Sequence, residues 1–195
     1  MYFKEFSIDN PIIFEKEDDL ISYFENNIKE NQLYDNCKGY ISLRLSNAII
    51  KCNFNLRNIN FYFNKNKDEF YFNFNFNNII FEGEFNCYIS KHSNIKFHFC
   101  YLSFNDVVFE KDVYFSRLKL IGKDNEGNIN FYNVNFKSGL YFFKTKFYNS
   151  NINFSNICCD SFVEFNFSKF YVKDKFIAKY YIHFQYIDFY KTLSF

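Results

Sequence analysis

Apolar or small side chains between residues 102 and 170 recur in pairs whose two members are separated by one residue. The second member is usually Phe, and most pairs follow each other at steps of five or six residues. Because side chains at positions i and i+2 of a strand point the same way, each pair predicts a short strand with one face turned inward. Twelve pairs fit: Leu102/Phe104, Val107/Phe109, Val113/Phe115, Leu118/Leu120, Ile129/Phe131, Val134/Phe136, Leu140/Phe142, Thr145/Phe147, Ile152/Phe154, Ile157/Cys159, Val163/Phe165 and Ser168/Phe170.

The residues between the pairs predict corners, and four strands with four corners would close one square coil of chain. Successive coils would then hydrogen-bond to one another at the ordinary strand spacing of about 4.8 Å. One coil alone cannot bury its inner face, so several coils are required. The predicted fold is an all-β solenoid over residues 41–176, clearest over 100–176, with an inner stack of Phe104, Phe109, Phe115, Phe131, Phe136, Phe142, Phe147, Phe154, Phe165 and Phe170.

The stretch VNFKSGLYFFKTKFYNSNINFSN, with Phe at the centre of each unit and Val, Thr or Ile two residues before it, resembles the pentapeptide-repeat proteins. The chain departs from that family where Val, Ile or Leu replaces the preferred Ala and where the step is six or seven residues. The resemblance implies a right-handed quadrilateral β-helix, frequent dimerisation through one end, and no conserved catalytic residues. It extends more loosely toward residue 50 through Ile59/Phe61, Ile79/Phe81 and Ile95/Phe97.

The two ends of the chain differ from this pattern. In the acidic segment 1–40, Leu20, Ile21, Phe24 and Ile28 fall at helical spacing and predict an amphipathic helix at about 15–31. Residues 177–195 leave the pair rhythm, and they are interpreted as a C-terminal cap or dimerisation tail, or as the stub of a longer chain. There, three residues predict one face of a short helix that caps the stack or meets a second subunit: Tyr180, Phe184 and Ile187.

Charge gives little indication of a polyanionic partner. The chain has 23 basic and 22 acidic side chains and a net charge of +1, so no nucleic-acid partner is expected. Mimicry of duplex DNA, by which some pentapeptide-repeat proteins occupy a topoisomerase, needs a surplus of carboxylates along the rod. The range from Phe97 to Phe176 contains eight acidic and ten basic residues, and this small basic excess argues against that mechanism.

No catalytic, cofactor or metal site is predicted. The sequence lacks GxSxG, HExxH, Walker and dinucleotide motifs. His98 and Cys100 could supply two metal ligands, but tetrahedral zinc requires four. The adjacent Cys158 and Cys159 could form a redox pair, although packing of Cys159 in the Phe position of a coil is favoured. The insertion 121–128 is interpreted as a surface loop, with ligand binding as the alternative.

The sequence predicts a cytoplasmic protein. It has no apolar run long enough to span a membrane, its first residues show no secretory signal, and its six cysteines have no zinc-ribbon spacing. The leading hypothesis is a non-enzymatic scaffold or protein-interaction module that binds a protein partner or a second copy through a solenoid end. The alternatives are a regulatory or sensor region separated from a membrane partner domain, and a DNA-mimic modulator of a topoisomerase.

Overall fold

The computed structural model describes residues 8–34, 40–59, 69–87, 96–121, 128–148, 151–171, 182–189 and 193–194. Within these ranges the chain forms one α-helix, one 3₁₀ turn at Leu56–Asn58 and sixteen strands. The helix α1 is Glu17–Tyr34, and the strands are β1 Ile12–Phe14, β2 Tyr40–Ile50, β3 Phe54–Asn55, β4 Glu69–Phe81, β5 Phe85–Asn86, β6 Lys96–Phe109, β7 Val113–Tyr114, β8 Lys119–Ile121, β9 Asn128–Phe136, β10 Leu140–Tyr141, β11 Lys146–Tyr148, β12 Asn151–Cys159, β13 Val163–Glu164, β14 Lys169–Tyr171, β15 Ile182–Phe189 and β16 Leu193–Ser194.

The strands form two sheets, and every strand pair among the described residues is parallel. One sheet holds ten strands and includes the series β1, β2, β4, β6, β9, β12 and β15, while the other joins β3, β5, β7, β10, β13 and β16. The long strand β6 contributes to two series, because its first half pairs with β8 and its second half with β9. A predominantly β fold with parallel strands and one N-terminal helix is therefore confirmed.

The register between strands aligns equivalent apolar residues into columns. Phe104 pairs with Phe131, and Phe131 pairs with Phe154. Their ring centroids lie 5.3 and 5.0 Å apart, and the rings are within 10° of parallel. These separations are close to the strand spacing of about 4.8 Å, as expected for identical side chains placed one above the other. Further stacks join Phe81, Phe109 and Phe136, and Phe115, Phe142 and Phe165.

A column of Asn and Asp residues forms one corner of the structure. Five of these residues have left-handed backbone, with φ between 53° and 56°: Asn47, Asn78, Asp106, Asn133 and Asn156. Asn and Asp adopt this conformation more readily than other non-glycine residues. The side chains also bond to one another, as where Asn156 Nδ2 donates to Asn133 Oδ1 at 2.7 Å. Each bend therefore occurs inside a long strand. Tyr186 has the same left-handed backbone at the equivalent position of β15.

Helix α1 covers one end of the core. It begins two residues after the predicted start and ends three residues after the predicted end. Leu20, Phe24 and Ile28 are buried, and the Phe24 ring packs edge-on against Phe54 and Phe76 at 5.8 and 6.2 Å. Its first turn carries three carboxylates, which interact favourably with the positive end of the helix dipole and stabilise the helix.

Two predictions about the ends need correction. Residues 182–189 form strand β15, which pairs in register with β12, so the helix predicted there is wrong. Apolar and polar residues alternate here with a period of two, at Ile182, His183, Phe184 and Gln185. Strand β12 provides the parallel partner. Tyr180 lies outside the described residues. At the other end, β1 lies inside the segment assigned to a helical region and pairs with β2.

Candidate functional site

The predicted inward pairs mostly lie in the core. Of the twelve pairs, every member is buried except Ser168, which is half-buried, and Phe170, which is 43% exposed. Phe170 still stacks on Phe147, with ring centroids 4.6 Å apart. The predicted stack therefore fills the interior of the described part of the chain, and the surfaces left there for a binding site are the outer faces and the ends.

One outer face, here called the lysine face, collects five cations. Lys119, Lys146 and Lys169 occupy equivalent positions on β8, β11 and β14, which are paired in register. Arg117 and Lys144 lie at the corner that precedes β8 and β11. The segments 116–121, 143–148 and 166–171, which make up this face, contain these five cations and no Asp or Glu.

Aromatic rings lie beside the cations of the lysine face. Tyr148 and Tyr171 stack with centroids 4.5 Å apart, and Lys119 Nζ lies 5.1 Å from the centre of the Tyr148 ring. At the corner, the Phe143 and Phe167 rings meet edge-on at 5.7 Å. Lys144 Nζ lies over both rings, at 4.8 and 5.7 Å from their centres. The face therefore presents alternating positive charge and aromatic surface.

An open cleft of about 420 Å³ adjoins this face. Its lining includes Tyr114, which stacks on Tyr141 at 4.9 Å and donates to Asp112 at 3.0 Å. Burial and the bond to Asp112 raise the pKa of Tyr114 well above its usual value, so the phenol stays protonated. The remaining lining residues are Glu84, Asn86, Ser116, Arg117 and Phe143.

The C-terminal end of the sheets, here defined as β15 and β16, is a second candidate surface. Strand β15 pairs with β12 on one side, and among the described residues no strand pairs with its other edge. Ile187 and Leu193 are half-buried against the core at this end. The side chain of Phe184, the remaining predicted interaction residue, is not among those described. Unpaired strand edges are templates for pairing with another chain.

The cysteines and histidines form no reactive constellation among the described residues. Burial, with a bond to Asp160, raises the pKa of Cys158 to about 12, and burial raises the pKa of Cys159 still further. Both thiols are therefore protonated and poor nucleophiles near neutral pH. No group of three or more His, Cys, Asp or Glu side chains suited to a metal ion occurs in the described part of the chain. The side chain of His98 lies outside it.

Comparison with known proteins adds no relative. No protein-family model, no curated protein and no solved structure matches the chain. In the described ranges, no helix has both the length and the apolar character needed to cross a lipid bilayer.

Sequence reasoning missed the lysine face. Along the sequence the basic residues look scattered, although half of the ten basic residues between Phe97 and Phe176 lie on this single face. A signal was present, because the residue between the two members of every fourth pair is Lys. Those residues are Lys119, Lys146 and Lys169.

Proposed function

We propose that the chain is a divergent pentapeptide-repeat-like protein that acts as a non-catalytic scaffold and joins a second copy through its C-terminal end. One observation carries this proposal. The first end of the stack is covered by α1, whereas β15 at the other end has an edge with no strand partner among the described residues. A repeat stack with one capped and one open end has a single surface suited to end-to-end pairing.

The proposed winding is a right-handed quadrilateral β-helix. It is supported by the sequence of inward pairs, since the register returns to an equivalent residue at every fourth pair, with three pairs in between. Leu102, for example, pairs with Ile129, and Ile129 pairs with Ile152. Parallel strands require long crossover connections, and a coil of chain supplies such a connection at every turn.

The proposed role is interaction rather than DNA mimicry. A mimic of duplex DNA needs rows of carboxylates along its faces, whereas the lysine face carries rows of the opposite charge. The interior is filled by stacked rings, such as Phe104, Phe131 and Phe154. The outer faces and the open end are then the surfaces available to a partner.

Sedimentation velocity with multi-angle light scattering tests the pairing. We expect a concentration-dependent dimer of the full chain, and we expect Ile187→Lys with Leu193→Lys to give a monomer. Both side chains are half-buried at the C-terminal end, so a second copy would bury them further and a charge there would oppose association.

Ile12→Lys is the matched control. Ile12 is also apolar and is 47% exposed, but it lies on β1 near the end covered by α1. This variant should remain dimeric. A wild-type chain that stays monomeric at all concentrations, or a dimer that is lost with Ile12→Lys and retained with the C-terminal variant, would contradict pairing through β15 and β16.

A further inference from the structure

The lysines of the lysine face are stacked with no compensating carboxylate among the described residues. Adjacent lysines in this column lie one strand apart, about 4.8 Å along the stack. Like charges placed directly opposite on neighbouring strands are destabilising. None of Lys119, Lys144, Lys146 and Lys169 forms an ion pair with a described carboxylate. By contrast, Lys51 pairs with Glu15 at 2.8 Å and Lys137 with Glu110 at 2.7 Å on other parts of the surface.

The corner of the lysine face is also built from unfavourable residues. Arg117, Lys144 and Phe167 all have left-handed backbone, with φ of 62°, 57° and 58°. Each costs on the order of 1 kcal/mol relative to a residue suited to this conformation. The Asn/Asp corner column differs, because its five Asn and Asp residues suit this backbone and also form side-chain hydrogen bonds along the column. At the corner of the lysine face, Lys144 and Phe167 adopt this backbone and present their side chains to solvent.

Phe167 is the most exposed large apolar side chain described, at 73% of its surface. Its ring lies beside Phe143 and under Lys144, and Tyr171 is also exposed at the edge of the face. Cations bind phosphates, and exposed aromatic rings stack on unpaired bases. Proteins that bind single strands without sequence preference combine these two features.

We propose that the lysine face binds single-stranded nucleic acid. Lys119, Lys146 and Lys169 contact successive phosphates, and Phe167 provides a stacking surface for a base. Neighbouring lysines are spaced by about 4.8 Å, and their flexible four-carbon side chains let the ammonium groups adjust to the phosphate spacing of a single strand. A duplex is disfavoured because its base faces are covered and cannot use the exposed ring.

This proposal goes beyond the scaffold function and uses a side face, so either can fail alone. It also opposes the expectation of no nucleic-acid partner, which rests on whole-chain charge. The charge of the whole chain does not reveal the charge of this one face. The three lysines are 27 and 23 residues apart in sequence, and the strand register brings them together.

Fluorescence anisotropy with a labelled oligo-dT of about twelve nucleotides tests the proposal, and an oligo-U arm distinguishes DNA from RNA. With three phosphate contacts, the dissociation constant should rise about 20-fold between 50 and 200 mM salt. The triple variant Lys119→Ala, Lys146→Ala, Lys169→Ala should weaken binding at least tenfold at low salt. Replacing the same three lysines by Arg should preserve binding, and Lys111→Ala, an exposed cation elsewhere, should leave it unchanged.

Phe167→Asn separates binding from folding. Asn suits the left-handed backbone, so thermal stability should be unchanged or higher, while loss of base stacking should weaken binding by about fivefold to 150-fold. Any of three results would overturn the proposal. These are no binding at low salt, equal binding by the wild type and the alanine triple variant, and duplex DNA bound as tightly as oligo-dT with no effect of Phe167→Asn. Binding of heparin, anionic vesicles or an acidic peptide without binding of oligonucleotides would overturn it as well.

Discussion

Asn133 combines two functions that can be separated by substitution. It adopts left-handed backbone with φ of 53°, and it lies between two polar neighbours in its column. Its Nδ2 donates to Asp106 at 2.5 Å, and its Oδ1 accepts from Asn156 at 2.7 Å. Both contributions are local, so each can be measured as a change in the free energy of unfolding.

Asn133→Gly removes the side-chain bonds but keeps the backbone accessible, and we expect it to cost about 1–2 kcal/mol for two partly exposed hydrogen bonds. Asn133→Ala adds backbone strain of about 1 kcal/mol. Urea unfolding of the two variants measures both terms. Equal stability of the two variants would show that the left-handed backbone contributes nothing at this corner.

Phe147 and Phe170 form a matched pair for testing the inner column. They stack on each other, but Phe147 is 2% exposed and Phe170 is 43% exposed. Phe147→Asp loses packing worth about 3–5 kcal/mol and buries a carboxylate as well, so it should remove most of the cooperative unfolding transition. In Phe170→Asp the carboxylate can reach water, and the loss should be less than half as large. Similar melting of the two variants would mean that Phe147 does not face the core.

Side-chain hydrogen bonds also join neighbouring strands within the second sheet. Asp112, just before β7, accepts from Tyr114 at 3.0 Å, from Ser138 at 2.5 Å and from the backbone N–H of Gly139 at 2.8 Å. Gly139 precedes β10, so this carboxylate links two neighbouring strands. Asn53, just before β3, does the same between β3 and β5, where its side-chain oxygen accepts from the N–H of Glu84 at 2.9 Å.

The stability contributed by Asp112 should depend on pH. Burial raises the pKa of this carboxyl, but the bonds from Ser138, Gly139 and Tyr114 outweigh burial and hold the pKa below its usual value of 3.8. A depressed folded-state pKa stabilises the fold above 3.8, and this contribution is lost as the pH falls from 3.8 through the folded-state pKa. We expect the loss to be about 1 kcal/mol or less, because the group is partly exposed.

Urea midpoints between pH 5 and pH 2 for the wild type and Asp112→Asn measure this contribution. The other carboxylates titrate in both proteins, so the difference between the two curves isolates Asp112. The difference should be largest at pH 5 and shrink toward pH 2. A constant difference across this range would show that the charge of Asp112 does not stabilise the folded state.

The strands could be predicted where a local pattern in the sequence was enough to identify them. The C-terminal end of the chain could not be predicted in this way. The i, i+2 pairs predicted buried positions because each strand needs only its own alternation. At residues 182–189 helical spacing and alternation overlap in one short segment, and the pairing with β12, a tertiary contact, favoured the strand. The close approach of Gly83, where a Cβ would overlap the backbone of Cys52, also depends on a neighbouring layer. The lysine face required register across 23 to 27 residues, which composition does not contain.

The whole molecule should lose stability gradually from one end. In a stack where each layer contacts only its neighbours, stability is approximately a sum of layer and interface contributions. The N-terminal layers are closed by α1, with Phe24 packed on Phe54 and Phe76. The C-terminal layer has β15, which pairs with one described strand only.

Hydrogen exchange with mass spectrometry should therefore show strongest protection in β4, β6 and β9 and weakest in β15. Phe154→Ala removes a ring that stacks on Phe131 at 5.0 Å and lies on β12, next to the open end. This variant should accelerate exchange in β12 and β15 and leave β2 and β4 almost unchanged, because the disturbed interfaces lie on one side of the stack. A uniform increase in exchange across all strands would mean that the chain unfolds as a single cooperative unit, with its layers coupled more strongly than nearest-neighbour contacts provide.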